Sequence, residues 1–320
     1  MHRKRNIYIS DDDIYKIDYS KNIYNALIRL KSGCGLSDIS MILGEERALD
    51  FISTLKEMKL IKTSNKNFYK NTMVEKQVEY LYSLIDDGNI AQDKIENATV
   101  AIVGVGGIGS VALQHLVAAG IGSFILVDGD DVNIDNFNRQ LIYSFKQIGK
   151  SKVDAAKEYI VGHNKDAKVI TIKQFIQDET DLIKLDDYHI DFMICGADKP
   201  YKKIQKIISS FCKVRNIPST YGMVGINFGN WGPIICPTID RDYSEFQAKF
   251  NEEMNEDERI VYNVNDNEPL SASFGLTNTI VAAYMTFDVI KYIIGAEVRT
   301  GVMYSIDFNK LEICQENINV

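Results

Sequence analysis

Four closely spaced glycines follow a short apolar run, residues 100–103, in the first third of the chain. They are Gly104, Gly106, Gly107 and Gly109. This spacing fits the dinucleotide-binding fingerprint: a tight turn, a close backbone approach to a phosphate, and close packing of helix on strand. We predict a buried parallel strand at 100–103 and a helix at 110–119 whose N-terminal N–H groups attract anions.

An acidic residue ends the next predicted strand, residues 124–127. Asp128 lies about 20 residues after Gly109, the separation expected for a carboxylate that binds ribose hydroxyls. The glycine loop and this carboxylate together predict a nucleotide site. They do not by themselves distinguish a dinucleotide from ATP.

The polar residues that follow Asp128 favour a triphosphate. They are Asp130, Asp131, Asn136, Arg139, Gln140 and Lys152. A hydride-transfer site needs no Arg and Lys here, because the glycine loop already holds the dinucleotide's pyrophosphate. ATP carries about four negative charges, and attack at its α-phosphorus adds charge to the leaving pyrophosphate. A bidentate Arg and a point-charge Lys stabilise that charge.

Residues 99–152 resemble the ThiF/MoeB/E1 family of ATP-dependent carboxylate-adenylating enzymes. The matching motifs are VGxGGxGS, L-V-D-x-D, N-x-x-R-Q and G-K-x-K. The resemblance implies a Rossmann-like, mostly parallel α/β sheet. It implies nucleotide-binding roles for the glycines and for Asp128, Asp130, Asn136 and Gln140. Of these, Asp128 holds the ribose, Asn136 contacts the phosphates and Gln140 helps to shape the site. It implies catalytic contacts to the phosphates for Arg139 and Lys152.

Another carboxylate, Asp198, follows the apolar strand predicted at 192–195. Open α/β sheets place their sites at such strand ends. The resemblance implies that Asp198 is catalytic and binds Mg²⁺ between the ATP phosphates. One carboxylate suffices when phosphate oxygens supply further ligands. Alternatively, Asp198 caps the helix predicted at 201–214, and both roles can coexist.

The five cysteines are scattered, and none forms a CxxC pair. The resemblance would place a structural Zn²⁺ on two such pairs, but Cys236 stands alone, so we expect no zinc site. The acidic segment 240–269 contains no cysteine, which argues against a thioester intermediate. Isolated thiols indicate a reduced, cytoplasmic compartment.

The composition is that of a globular protein. The chain has 320 residues, 45% hydrophobic and 25% charged, enough for one large α/β domain and a small one. A net charge of −8 gives no overall electrostatic footprint for nucleic acid. We therefore expect no nucleic-acid partner. No apolar run is long enough to span a membrane, so we also expect no membrane partner.

Residues 1–70 predict a separate, winged-helix-like α+β domain. The predicted elements are strands at 6–10 and 14–19, helices at 20–32, 36–43 and 46–59, and a hairpin at 60–62 and 67–69 as the wing. The last helix lacks side chains suited to reading base edges. The region resembles precursor-recognition domains of ribosomal-peptide biosynthesis, which implies capture of a peptide at an open strand edge. DNA binding and a docking role are the alternatives.

Residues 71–98 predict a helical connector, and residues 99–320 the adenylation domain. The resemblance implies a homodimer in which a connector arginine reaches the neighbouring site's phosphates. Lys76 keeps that charge without the bidentate guanidinium, so this role is open.

The sequence therefore predicts an ATP- and Mg²⁺-dependent adenylyltransferase that activates a carboxylate of a ribosomally made precursor peptide, as in microcin-type antibiotic biosynthesis. Two alternatives are adenylation of a ubiquitin-like sulfur carrier and a non-catalytic role in delivering a leader peptide to a cyclodehydratase.

Overall fold

The computed structural model describes residues 6–10, 14–61, 66–245, 272–317 and 319. The chain divides into two compact units, an N-terminal unit of residues 1–65 and a C-terminal unit of residues 66–320. No helix in the described ranges is long and apolar enough to cross a membrane.

The N-terminal unit contains a two-stranded antiparallel sheet and three helices. The strands are β1 (Asn6–Ser10) and β2 (Ile14–Asp18), and the helices are α1 (Lys21–Lys31), α2 (Leu36–Leu43) and α3 (Glu45–Glu57). Each helix contributes one buried side chain to a shared core: Ala26, Ile39 and Ala48. The predicted small N-terminal sheet and helices are confirmed.

The wing hairpin predicted at 60–62 and 67–69 is wrong where the structure describes it. Residues 60–61 and 66–69 form no strand, and residues 62–65 lie outside the described ranges. Leu60 N–H instead donates to Leu55 O at 2.9 Å and closes the end of α3. Phe68 N–H donates to Asn89 Oδ1 at 2.9 Å, so its backbone is bonded to a side chain rather than to a strand partner.

The C-terminal unit is built on an eight-stranded sheet of order β10-β9-β8-β7-β6-β3-β4-β5. The strands are β3 (Thr99–Val103), β4 (Ser123–Val127), β5 (Lys168–Ile172), β6 (Phe192–Cys195), β7 (Ser219–Val224), β8 (Phe228–Trp231), β9 (Val302–Asp307) and β10 (Glu312–Asn317). Strands β7 to β5 are parallel, and β8 to β10 extend the sheet antiparallel. The predicted Rossmann-like, mostly parallel fold is confirmed.

Helices cover both faces of this sheet, which is why its central strands are continuous apolar runs. The helices are α4 (Glu75–Leu81), α5 (Gly88–Asn97), α6 (Gly107–Ala119), α7 (Lys152–His163), α8 (Ile204–Arg215) and α9 (Gly275–Ile294). On one face, Leu116 of α6 and Met285 of α9 enter a core with Ile102. On the other, Phe211 of α8 packs with Met193.

The connector pair Lys76 and Gln77 has two different environments. Gln77 Nε2 donates to Gln92 Oε1 at 2.7 Å and to Ala119 O, the last residue of α6, at 2.9 Å. Lys76 is exposed. Gln77 therefore stabilises the C-terminus of α6 within its own chain, and a role across a dimer would fall to Lys76.

Candidate nucleotide site at the carboxyl edge of the sheet

Three adjacent parallel strands end together and define the site. Val103 of β3 lies opposite Val127 of β4 and Cys195 of β6. The residues that come next, Gly104, Asp128 and Gly196, are therefore neighbours at one edge. This is the edge where open α/β sheets bind their ligands.

The glycine loop is shaped by close contacts that leave no room for side chains. Gly104 has φ +87°, and a Cβ there would lie 2.6 Å from Ala197 N. A Cβ on Gly109 would collide with Gly104 O, and one on Gly107 would collide with Asn278 Oδ1. At Gly106 a Cβ would make only an ordinary van der Waals contact, 3.9 Å from Gln140 Nε2. The loop is therefore held tightly but has room at Gly106, the N-cap residue of α6.

The Asp128 carboxylate is oriented by two backbone donors. Val105 N–H donates to Oδ2 at 2.7 Å, and Asp130 N–H donates to Oδ1 at 2.8 Å. Burial raises the pKa of Asp128, and the Lys152 charge opposes that rise. The carboxylate is thus fixed beside the glycine loop, as a ribose ligand requires.

Lys152 is a buried cation held at this edge by Asp130. Its Nζ lies 2.9 Å from Asp130 Oδ2, and its side chain is 7% exposed. Its backbone N–H also donates to Asp130 O at 3.0 Å. Two contacts to one residue place the first charge of α7 next to Asp128.

Arg139 contacts the glycine loop from another side. A Cβ on Gly107 would lie 3.5 Å from Arg139 Cδ. Arg139 Nη1 donates to Asp135 O and Asn138 Oδ1, both at 2.8 Å, and the guanidinium forms no ion pair with any described residue. An uncompensated cation beside a phosphate-binding loop suits a polyphosphate.

Asn136 is buried, and its side chain shapes its own turn. Its Oδ1 accepts from Asn133 N–H at 3.0 Å, and its Nδ2 donates to Asp135 Oδ1 at 2.9 Å. In this structure Asn136 therefore positions the turn that carries Arg139, and a direct phosphate contact would require its amide to change partners.

Two buried polar atoms at this edge have no hydrogen-bond partner in the part of the chain that the structure describes. They are Gln140 Oε1, in a side chain that faces Gly106, and Ser151 Oγ, next to Lys152. Unpaired buried polar atoms cost about 1–3 kcal/mol each and are rare in native proteins. Their presence beside the loop and the lysine fits a site completed by a polar ligand. Ser151 was not among the predicted site residues.

Two aromatic residues near Asp128 were also missed. The buried Tyr143 Oη donates to Val105 O at 2.8 Å and braces the glycine loop. Burial raises the pKa of Tyr143 well above its ordinary value, and the charges of Asp128 and Asp130 add to the rise. The ring of Phe175 is 57% exposed and lies against Gly129, directly after Asp128.

The start of α9 packs on the same loop. Asn278 Nδ2 donates to Ser273 Oγ at 2.9 Å and to Phe274 O at 2.7 Å, while Asn138 Nδ2 donates to Ser273 O at 2.9 Å. An Asn near the start of a largely apolar helix was the available sequence signal, because an amide that becomes buried there needs fixed partners.

Asp198 is exposed and stands at the end of β6. Gly196 N–H donates to Val103 O at 2.9 Å, which fixes the segment that leads to it. Across the described ranges, no group of three or more His, Cys, Asp or Glu side chains could hold a metal. Asp198 therefore fits Mg²⁺ only as one ligand among phosphate oxygens, the coordination that Mg²⁺ adopts on nucleotides.

Cys236 lies beside hydroxyl groups. Its Sγ is 3.4 Å from Thr238 Oγ1 and 3.7 Å from Tyr292 Oη. Residues 246–271, which include most of the acidic segment 240–269, lie outside the described ranges.

The sheet order, the glycine loop and the strand-end carboxylate define a Rossmann-like nucleotide-binding protein. The family profile described as "ThiF family" matches residues 75–319, and the chain belongs to that family.

One curated relative matches this chain over part of its length. The chain is 38% identical over 140 residues to the tRNA threonylcarbamoyladenosine dehydratase of Bacillus subtilis, a match that covers 44% of this chain and 54% of that protein. The chain thus spans about half the length of this curated relative.

Solved structures match over more of their length. E. coli MccB with ATP aligns with a TM-score of 0.78 at 25% identity, covering 93% of this chain and 87% of MccB. A second MccB structure, which contains MccA, aligns at 0.72 and 25% identity over 91% of this chain and 81% of that one. PaaA aligns at 0.73 and 25% identity over 98% of both chains.

Proposed function

We propose that this protein is an ATP-dependent adenylyltransferase that activates a carboxylate of a ribosomally made peptide and releases pyrophosphate. The observation that carries the proposal is the shared edge of β3, β4 and β6. The glycine loop, Asp128 with Asp130, and Asp198 each follow the end of one of these three adjacent strands, and Lys152 at the start of α7 is paired with Asp130.

The site's own residues account for ATP binding. Asp128, with two backbone donors on its carboxylate, receives the ribose hydroxyls. The N-terminus of α6 attracts the phosphates, and Arg139 and Lys152 supply two cations of different geometry. Asp198 would hold Mg²⁺ together with phosphate oxygens, and the metal would neutralise charge on the triphosphate.

The reaction needs no general base. A peptide carboxylate is already ionised at pH 7, and its oxygen attacks the α-phosphorus while the bond to pyrophosphate breaks. Both reactants are anions, so the work of the protein is to position them and to neutralise their charge. Arg139, beside Gly107, and Lys152, beside Asp128, supply the positive charge.

Support for a peptide substrate comes from the N-terminal unit and from MccB. Within the described residues, β1 and β2 pair only with each other, so an extended peptide can add to an edge of this sheet through main-chain hydrogen bonds. MccB has been solved with ATP and, in separate structures, with MccA, and it is described as a microcin C7 biosynthetic enzyme. We assign peptide capture to residues 1–70 and expect the active species to be a homodimer.

The test is ATP–pyrophosphate exchange with synthetic peptides encoded by short reading frames beside the gene. Peptide-dependent exchange in the wild type, lost in Asp198→Ala, supports the proposal. Asp187→Ala, which changes a charge elsewhere in the C-terminal unit, serves as the control and should leave exchange unchanged.

A sulfur-carrier protein ending in Gly-Gly is assayed in parallel. Exchange with that protein and with no peptide would replace the peptide by a carrier. ATP binding without exchange, together with peptide binding by the full chain, would instead make the protein a delivery partner.

A further inference from the structure

A run of lysines borders the carboxyl edge of the sheet immediately after Asp198. Residues 199–206 contain four lysines and no acidic residue, in a chain whose net charge is −8. They are Lys199, Lys202, Lys203 and Lys206, and we call them the lysine patch. A local excess of positive charge on an acidic protein needs a reason.

The patch is displayed from an ordered turn. Lys203 N–H and Ile204 N–H both donate to Pro200 O at 3.0 Å, and the Ile204 side chain is fully buried beneath the turn. Lys202 Nζ lies over the ring of Tyr201, 5.4 Å from its centre. The turn is therefore fixed to the core while Lys203 and Lys206 are exposed.

The two ends of α8 differ in how their cations are neutralised. Near its C-terminus, Lys213 Nζ pairs with Asp242 Oδ2 at 2.9 Å, and Arg215 pairs with Asp186. Near its N-terminus, Lys203 and Lys206 form no ion pair with any described residue. Cations also interact unfavourably with the positive end of a helix dipole, so stability does not explain their position.

From this juxtaposition we propose that the lysine patch binds an acidic segment of the peptide substrate next to the carboxylate that is activated. The inference rests on the proposed function. The substrate's reacting group is an anion that must approach an anionic nucleotide near Asp198. Exposed lysines beside that point attract carboxylates and steer them to the edge.

The patch suits a peptide better than nucleic acid. It contains four lysines, one tyrosine and no arginine, and the remainder of the chain is strongly acidic. A nucleic-acid surface would add planar guanidinium groups or several stacking aromatics. An ammonium group on a four-carbon stem accepts carboxylates from many directions, so exposed Lys203 and Lys206 suit carboxylates spaced along an extended peptide.

The test uses the full chain and a fluorescein-labelled peptide of four Gly-Asp repeats, with four Gly-Asn repeats as the neutral probe. Fluorescence anisotropy at about 50 mM salt measures both affinities, because the screening length is then long enough to retain surface attraction. The wild type should bind the acidic probe about tenfold more tightly than the neutral one.

The decisive variant is Lys203→Glu with Lys206→Glu, compared with Lys157→Glu plus Lys165→Glu. The control changes the net charge equally at two exposed lysines on and just after α7, and it should retain affinity within about twofold. The patch variant should lose about tenfold or more in affinity for the acidic probe. Its ATP affinity should equal the wild type's, which also shows that it is folded.

Three results would overturn the assignment. The first is no preference for the acidic probe up to about 1 mM, and the second is an equal loss of affinity for that probe in both double variants. The third is a parallel loss of ATP affinity in the patch variant, which would place the lysines in the nucleotide site. Stronger binding of a single-stranded RNA of about ten nucleotides at the same lysines would overturn it as well. Failure of the wild type to bind ATP would instead contradict the proposed function.

Discussion

Replacing Lys152 by alanine should abolish most activity while barely changing stability. Lys152 Nζ lies 2.9 Å from Asp130 Oδ2, and that carboxylate's side chain is 54% exposed. Water can replace the lysine around the exposed Asp130 carboxylate, so the loss of that ion pair costs about 1 kcal/mol or less. The loss of a positive charge near buried Asp128 adds a cost that is present only while that carboxyl is ionised.

The expected loss of activity is far larger. A unit charge about 4 Å from a phosphate oxygen interacts by about 4 kcal/mol at an effective dielectric constant of about 20. If most of that interaction develops as pyrophosphate leaves, the rate falls about 10²- to 10³-fold. Pyrophosphate exchange at saturating ATP measures it, and urea unfolding measures stability.

Lys150→Ala is the matched control, because Lys150 is two residues away and pairs with exposed Glu158 rather than with the site. It should exchange at the wild-type rate. A loss of less than about threefold in Lys152→Ala, or an equal loss in both variants, would refute the assigned role of Lys152.

The same variant should move the pH dependence of ATP binding. Burial raises the pKa of Asp128, and the Lys152 charge opposes that rise, so removing Lys152 raises the pKa further. Asp128 then protonates at higher pH, and the acid limb of ATP affinity shifts upward. Because a carboxyl whose folded-state pKa is above its unfolded value destabilises the fold once ionised, Lys152→Ala should also gain stability relative to wild type as pH falls. Lys150→Ala should show neither shift.

Three further substitutions test the glycine loop, the contact to the nucleotide base and the packing near the other edge of the sheet, and Gly149→Ala is the control for the first of them. Gly104→Ala should destabilise the fold by about 3 kcal/mol, from positive φ plus a clash with Ala197, while Gly149→Ala (φ +81°, open space) should cost about 1 kcal/mol, both read by urea unfolding. Phe175→Ala should raise the KM for ATP about five- to tenfold with kcat unchanged, if its exposed ring stacks on the base beside Asp128; an unchanged KM would exclude that contact. Asp240→Ala should lower stability by about 2–3 kcal/mol, because its buried carboxylate accepts from Cys236 N–H at 2.7 Å and from the side chains of Thr300 and Asn319; thermal unfolding checks this, and an unchanged melting temperature would show that water replaces those bonds.

The parallel sheet was predictable because its strands are buried on both faces. Val100 to Val103 and Phe192 to Cys195 form uninterrupted apolar runs. The first is followed by the glycine loop and the second by a glycine and then Asp198, which is typical of strand ends at a ligand site. The alignment of Gly104, Asp128 and Gly196 at one edge then follows from parallel pairing. Local spacing was therefore enough to predict that these residues lie at one edge of the sheet.

Contacts between distant segments could not be read from spacing. Asn278 meets Gly107 across more than half of the chain's length, and nothing near either residue indicates the other. The orphaned Ser151 Oγ is likewise a property of packing rather than of sequence. The prediction of a wing hairpin was wrong because Asn67 and Phe68 form hydrogen bonds to α4 and α5. These tertiary contacts override the strand propensity of the segment.

The central claim is that a peptide carboxylate attacks the α-phosphorus of ATP at this site. The most direct measurement uses a peptide that supports exchange, labelled with ¹⁸O in its carboxylates, and follows the label by mass spectrometry after the acyl-adenylate is trapped with hydroxylamine. The carboxylate oxygen bridges carbon and phosphorus, so hydroxylamine attack at carbon should release AMP carrying one ¹⁸O, with unlabelled pyrophosphate. Label in inorganic phosphate together with ADP would show attack at the γ-phosphorus and contradict adenylation.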